Sequence, residues 1–210
     1  MKSYLVVLDG TPISWEAAYS AFHLAARLGS RLIGLAAKDP AGERTASQWL
    51  AEFETGARAA GIVVESRLVA HLDAETLGAQ ADATDGVFWG HPADAPGKML
   101  AELLGGLPCS LWLVPRQTSV RKIVTIASDP TSGHHASHFA ELLSRRLGVD
   151  LVTLALSDLQ PVQDRIPAEL ILDRVADIGP DLLILDRAER ILPLPELSLS
   201  PPCLTVFWAP

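Results

Sequence analysis

Short apolar runs alternate along the chain with longer stretches whose apolar positions recur at helical spacing. Leu5-Val6-Val7-Leu8 stops at Asp9, and a helical stretch then runs to Leu28 and Gly29. Over the first 115 residues this rhythm predicts strands at 4–9, 31–37, 61–69, 85–90 and 109–115. It predicts helices at 13–29, 43–60, 73–84 and 97–106. Strands that are apolar on both faces and separated by helices imply a parallel sheet covered on both sides, an α/β fold.

The same rhythm is then written a second time. LVVLDGTPISWEAAYSAFHLAARLGSRLIGLAA, from Leu5, and IVTIASDPTSGHHASHFAELLSRRLGVDLVTLAL, from Ile123, share one order. Each reads as a strand, a polar turn with proline, a helix ending in Arg-Leu-Gly and a second strand. The glycines, Gly29 and Gly148, suit a left-handed helix stop. In the second helix Phe139, Leu142, Leu143 and Leu147 form a stripe expected to face the core. DAETLGAQADATDGVFWG (73–90) matches PAELILDRVADIGPDLLILD (167–186), and LPCSLWLVP (107–115) matches SPPCLTVFWAP (200–210). Where the first copy has a whole helix and strand, the second has only SDLQPVQDRI. The second copy is therefore expected to lack that helix, with its third strand short or absent. The divisions are a first domain at 1–116, a linker at 117–121 and a shortened second domain at 122–210.

These segments resemble the universal stress protein family. VVLDGTP looks like that family's first strand, HLDAETLGAQADATDGVFWG like its third helix and fourth strand, and LPCSLWLV like its closing strand. The resemblance spans nearly all of residues 1–115 and both ends of the second copy. It implies two flavodoxin-like (Rossmann-like) open parallel sheets of order 3-2-1-4-5, the second truncated. It also implies intramolecular pairing of the two domains as a pseudo-dimer, with residues 110–114 beside 204–208.

Ligands of such sheets sit beyond the carboxyl ends of the strands, where the strand order reverses. Asp9 and Gly90 end the two strands that flank this point. Family members that bind ATP carry an aspartate where Asp9 stands and Gly-x2-Gly-x9-Gly-Ser/Thr after the fourth strand. The glycines there bring backbone N–H groups and a helix N-terminus to the phosphates. The loop here is WGHPADAPGKMLAELLGGLPC. Gly90 matches the first glycine, and Gly97-Lys98 falls where the last pair would open the helix. Ala93 stands at the second glycine's place, the loop is shortened, and Pro92 and Pro96 have no N–H to give. One reading is a reduced nucleotide site of Asp9, Gly90, His91, Gly97 and Lys98, for ATP or AMP. The other is that Asp9-Gly10 is a turn, Gly97 a helix start and His91 a loop residue, with no cofactor. In the second copy Ser128 or Asp129 replaces Asp9. DRAERILPLPELSLSPPC has no glycine and four prolines, so a structural role is expected for that half and its last helix should be reduced.

His134 and His138 stand i, i+4 with Asp129 nearby, a geometry that two metal ligands need. No third or fourth ligand is evident, and surface histidines are the plainer reading. No Gly-x-Ser-x-Gly elbow occurs, so catalysis is not expected. Cys109 and Cys203 open buried strands and act as small apolar fillers. Trp112 and Trp208 are candidates for contacts between the closing strands.

The net charge of −8 divides evenly, with 9 basic and 13 acidic residues in 1–118 and 8 and 12 in 119–210. With no basic block, nucleic acid and anionic membrane are not expected partners. The apolar start is too short for a secretory signal, so a cytoplasmic location is expected. The role that follows is non-catalytic: stress-associated binding or regulation, with a protein partner or a further homodimer in view. Its alternatives are ATP or AMP binding through the first domain and metal binding at His134–His138.

Overall fold

The computed structural model describes residues 1–38, 43–91, 97–127, 135–159, 166–189, 192–199 and 201–209. The first half runs β1 (Ser3–Leu8), α1 (Pro12–Leu28), β2 (Arg31–Ala37), α2 (Glu43–Ala59), β3 (Val64–Val69), α3 (Ala74–Ala81), β4 (Gly86–Gly90), α4 (Gly97–Gly106) and β5 (Ser110–Val114). The second runs β6 (Lys122–Ala127), α5 (His135–Leu147), β7 (Asp150–Ala155), a 3-10 turn (Leu156–Leu159), α6 (Ala168–Ile178), β8 (Leu182–Asp186), α7 (Leu194–Leu199) and β9 (Leu204–Trp208). Among the described residues the second half has no counterpart of α2 or β3. Its last helix has 6 residues where α4 has 10.

The strands form one sheet of order β3-β2-β1-β4-β5-β9-β8-β6-β7. The order 3-2-1-4-5 and its truncated copy are both present, joined edge to edge. All pairings are parallel except β5 with β9, which is antiparallel. There Leu111 faces Phe207, Trp112 faces Val206 and Leu113 faces Thr205. Joining the two closing strands leaves neither as an open edge.

Strand alternation sends Tyr4, Val6 and Leu8 to one face of the sheet and Leu5 and Val7 to the other, each under its own layer of helices. α1 starts at Thr11, whose hydroxyl accepts from Ser14 N–H at 3.3 Å, with Pro12 in the first turn. It ends at Gly29 with φ +63°, and Gly148 ends α5 at φ +59°, as the repeated Arg-Leu-Gly predicts. Small residues on α1 (Ser14, Ala17, Ala18 and Ala21) let it lie close on the sheet. On α5 the buried positions are Ala136, Ala140, Leu143 and Leu147. Leu142 lies off that stripe and is 48 % exposed, contrary to expectation, because the sheet takes the alanine side of the helix.

An aromatic cluster ties the halves together. Trp112 stacks on Phe88 at 4.7 Å and meets Tyr4 edge-on at 5.7 Å. Phe139 of α5 reaches Trp112 at 6.3 Å and Trp208 at 6.2 Å. Such pairs contribute about 0.5–1.5 kcal/mol each beyond their buried area. Arg27 of α1 donates to the carbonyls of Val120 and Leu147, closing the helix end of the second half. Among the described residues no helix is long and apolar enough to cross a membrane.

Candidate functional site

The switch point lies where β1 and β4 pair side by side, with β2 and β3 beyond β1 and β5 beyond β4. Asp9 leaves the end of β1 and turns back on its own chain. One carboxylate oxygen accepts from Thr11 N–H at 2.9 Å and from the Thr11 hydroxyl at 2.6 Å. These bonds shape the turn that starts α1. Gly10 has φ +80°, and the Trp49 indole from α2 lies so close that a Cβ there would stand 2.1 Å from the ring. Beside this turn a hollow of ≈ 320 Å³ is lined by Asp9, Lys38, Trp49 and His71.

Gly90 ends β4 where the first turn of α1 comes down on it. A Cβ at Gly90 would stand 2.4 Å from the Ile13 carbonyl oxygen, so backbone packing alone demands glycine here. His91 continues β4 toward β5, its N–H donating to the Val114 carbonyl at 3.0 Å. Its ring turns into the interface with α7 and is buried, and its Nε2 has no hydrogen-bond partner. Burial lowers its pKa, and the nearby Ser198 backbone only partly offsets this.

Gly97 begins α4, and a Cβ there would meet the Leu199 side chain of α7 at 3.3 Å. The second half thus lays Leu199, 46 % exposed, beside the first residue of α4. Lys98 points to solvent, 89 % exposed, 3.8 Å from Glu102 one turn along. The structure therefore sets Asp9 and Gly90 at the ends of the paired strands β1 and β4, buries His91 and leaves Lys98 exposed.

Sequence reading missed Arg187, which follows β8 as His91 follows β4. Its guanidinium crosses to the first half and donates to the Leu107 and Cys109 carbonyls at 3.0 and 2.9 Å. Aligning 73–90 with 167–186 would have flagged the position, since Asp186 then stands at Gly90. Asp186 is buried, and its carboxylate accepts from Ala188 N–H at 2.8 Å.

Of the histidine group, His134 and Asp129 lie outside the described residues, as does Ser128. His135 and His138 are exposed, and His135 stacks on Trp208 at 5.8 Å. No group of three potential metal ligands occurs among the described residues. Cys109 and Cys203 are free and buried, and burial pushes both thiols up, Cys203 to about 12.

No protein-family model matches the sequence, and no curated protein matches it either. Solved structures do match. A protein of unknown function from Pseudomonas aeruginosa PAO1 is 17 % identical, with 100 % of this chain and 93 % of that one aligned at a TM-score of 0.72. A universal stress protein from Archaeoglobus fulgidus DSM 4304 is 11 % identical, covering 98 % and 97 % at 0.71. A putative universal stress protein from Pseudomonas aeruginosa UCBPP-PA14 is 17 % identical, covering 99 % and 93 % at 0.70. From end to end, the chain has the fold of these universal stress proteins.

Proposed function

We propose that this chain is a tandem universal-stress-protein-like protein with a stress-associated binding or regulatory role, non-catalytic, whose first-half nucleotide site is degenerate. The second half is structural: it covers the first and closes its phosphate end. The observation that carries this reading is Leu199 of α7 against Gly97 at the N-terminus of α4. An apolar side chain there, 46 % exposed, offers neither charge nor hydrogen bond to a phosphate. Lys98, turned outward, supplies no charge to the crevice. The test is direct. The absorbance ratio and mass spectrum of freshly purified protein should show no bound ATP, and calorimetry with ATP and magnesium should give no binding heat. Co-purified ATP would sink this reading.

A second reading rests on the hollow beside Asp9. Trp49 lines it, and Asp9 has one carboxylate oxygen outside the Thr11 bonds. This arrangement favours a nucleoside or AMP over a triphosphate. Calorimetric titrations with adenosine and AMP, repeated with Asp9→Ala and Trp49→Phe, separate the two readings. A signal lost in both variants supports nucleoside binding, and no signal in the parent protein rejects it.

A further inference from the structure

A cavity of ≈ 140 Å³ opens at the other end of the sheet, between the two halves. β1 contributes Lys2 and Tyr4, the end of α1 contributes Leu28, and α5 of the second half contributes Phe139, Leu142 and Arg146. It exists because the halves are joined, and it lies about 20 Å from Asp9, the length of β1. Its volume is near the ~150 Å³ of an apolar protein cavity that takes up one benzene ring. Its walls are of the same kind, and the 48 % exposure of Leu142 places a bare aliphatic side chain at its mouth.

Charge distinguishes it from a plain packing gap. Lys2 Nζ sits 5.2 Å above the centre of the Phe139 ring, and Arg146 stands about two turns further along α5. Asp85, 4.0 Å from Lys2, offsets one of these two cations. The mouth keeps one net positive charge over an apolar hole. At the cavity wall the Tyr4 phenol, its pKa raised by burial and by Asp85, is protonated at neutral pH and carries an O–H donor.

We propose that this cavity binds a small aromatic monocarboxylate, its ring among Leu28, Phe139 and Leu142 and its carboxylate toward Arg146 and Lys2. One ring fills the volume, and one negative charge matches the mouth. A neutral ring leaves the cations unanswered, and a second copy of the chain would have to insert a side chain into a hole of one-ring size.

Benzoate, benzyl alcohol and benzylammonium serve as probes, titrated separately into the full chain and followed by amide chemical shifts. Shifts are expected at Lys2, Phe139 and Leu142, with benzoate tightest and benzylammonium weakest. Arg146→Gln should weaken benzoate about fivefold, the scale of one exposed ion pair, and leave benzyl alcohol unchanged. Leu142→Trp, at an exposed position, should fill the mouth and abolish all binding, with an unfolding curve that matches the parent. If Leu142→Trp misfolds, the shift map and Arg146→Gln still decide. Benzyl alcohol binding as tightly as benzoate, shifts clustered elsewhere, or no shifts up to the probes' solubility would each overturn the proposal. So would a concentration-dependent dimer with its contact shifts on these residues. Nucleotide titrations read the opposite end of the sheet, so this inference stands or falls apart from the proposed function.

Discussion

Gly90→Ala adds one methyl group where α1 presses on the end of β4. The new Cβ would lie 2.4 Å from the Ile13 carbonyl oxygen, 2.6 Å from its carbon and 2.8 Å from Ser14 N. Ordinary contact begins near 3.4 Å, and the obstruction is backbone, which cannot swing aside as the tip of a side chain could. The first turn of α1 must therefore retreat by about 1 Å, a gap that forfeits up to roughly half of each contact's dispersion energy. It retreats where Ser14, Ala17, Ala18 and Ala21 lie fully buried on the sheet. Overpacking of this kind costs about 1–3 kcal/mol, and alanine returns about 0.4–1 kcal/mol by restricting the unfolded chain. The expected net loss is about 1.3 kcal/mol, a fall in Tm of about 3–5 °C for a chain of this size. Scanning calorimetry of Gly90→Ala beside Gly105→Ala measures it. A Cβ at Gly105 meets nothing within 4 Å, so that variant should match or exceed the parent. If Gly90→Ala keeps its Tm, the steric account of this glycine is refuted and a ligand-reserved role returns.

Arg187→Met removes two hydrogen bonds to the Leu107 and Cys109 carbonyls while keeping the apolar stem. It should cost about 2 kcal/mol in urea unfolding, with Arg187→Lys recovering only part; no loss would show that water satisfies those carbonyls. The lowered pKa of His91 fixes the sign of a pH effect. Above about pH 6.5 the ring is neutral folded and unfolded. As the pH falls below that value the unfolded chain takes the proton first, so stability drops, by up to about 1.4 kcal/mol per pH unit, until the folded pKa is passed. Unfolding midpoints of His91→Gln from pH 7 downward should lack this component, and an unchanged slope would contradict it. Cys203, its thiol pushed up to about 12, should resist a thiol reagent in native protein and react on unfolding; rapid native labelling would count against its burial.

The repeat made most of the fold legible. Matching LPCSLWLVP to SPPCLTVFWAP identifies β5 and β9 as equivalent strands, and Arg-Leu-Gly marks two left-handed helix ends at Gly29 and Gly148. Helical periodicity on α5 defines an apolar set but not which part of it the sheet takes, so Leu142, expected in the core, stands at a cavity mouth. At the candidate site residue type was legible but its cause was not. Gly90 is glycine because of Ile13, about eighty positions earlier. The Leu199–Gly97 contact and the Arg187 latch depend on two halves meeting, which no local pattern encodes. The Asp9–Thr11 bonds were within reach of sequence reading, because an Asp two residues before a Thr that caps a helix is a turn signal.

The most direct measurement is a calorimetric titration of nucleotide-free chain with ATP and magnesium, with Asp9→Ala in parallel. With Leu199 at the start of α4 and Lys98 turned outward, no binding heat is expected from either protein. A stoichiometric isotherm from the parent that Asp9→Ala abolishes would show an intact triphosphate site and contradict the claim that the second half closes it.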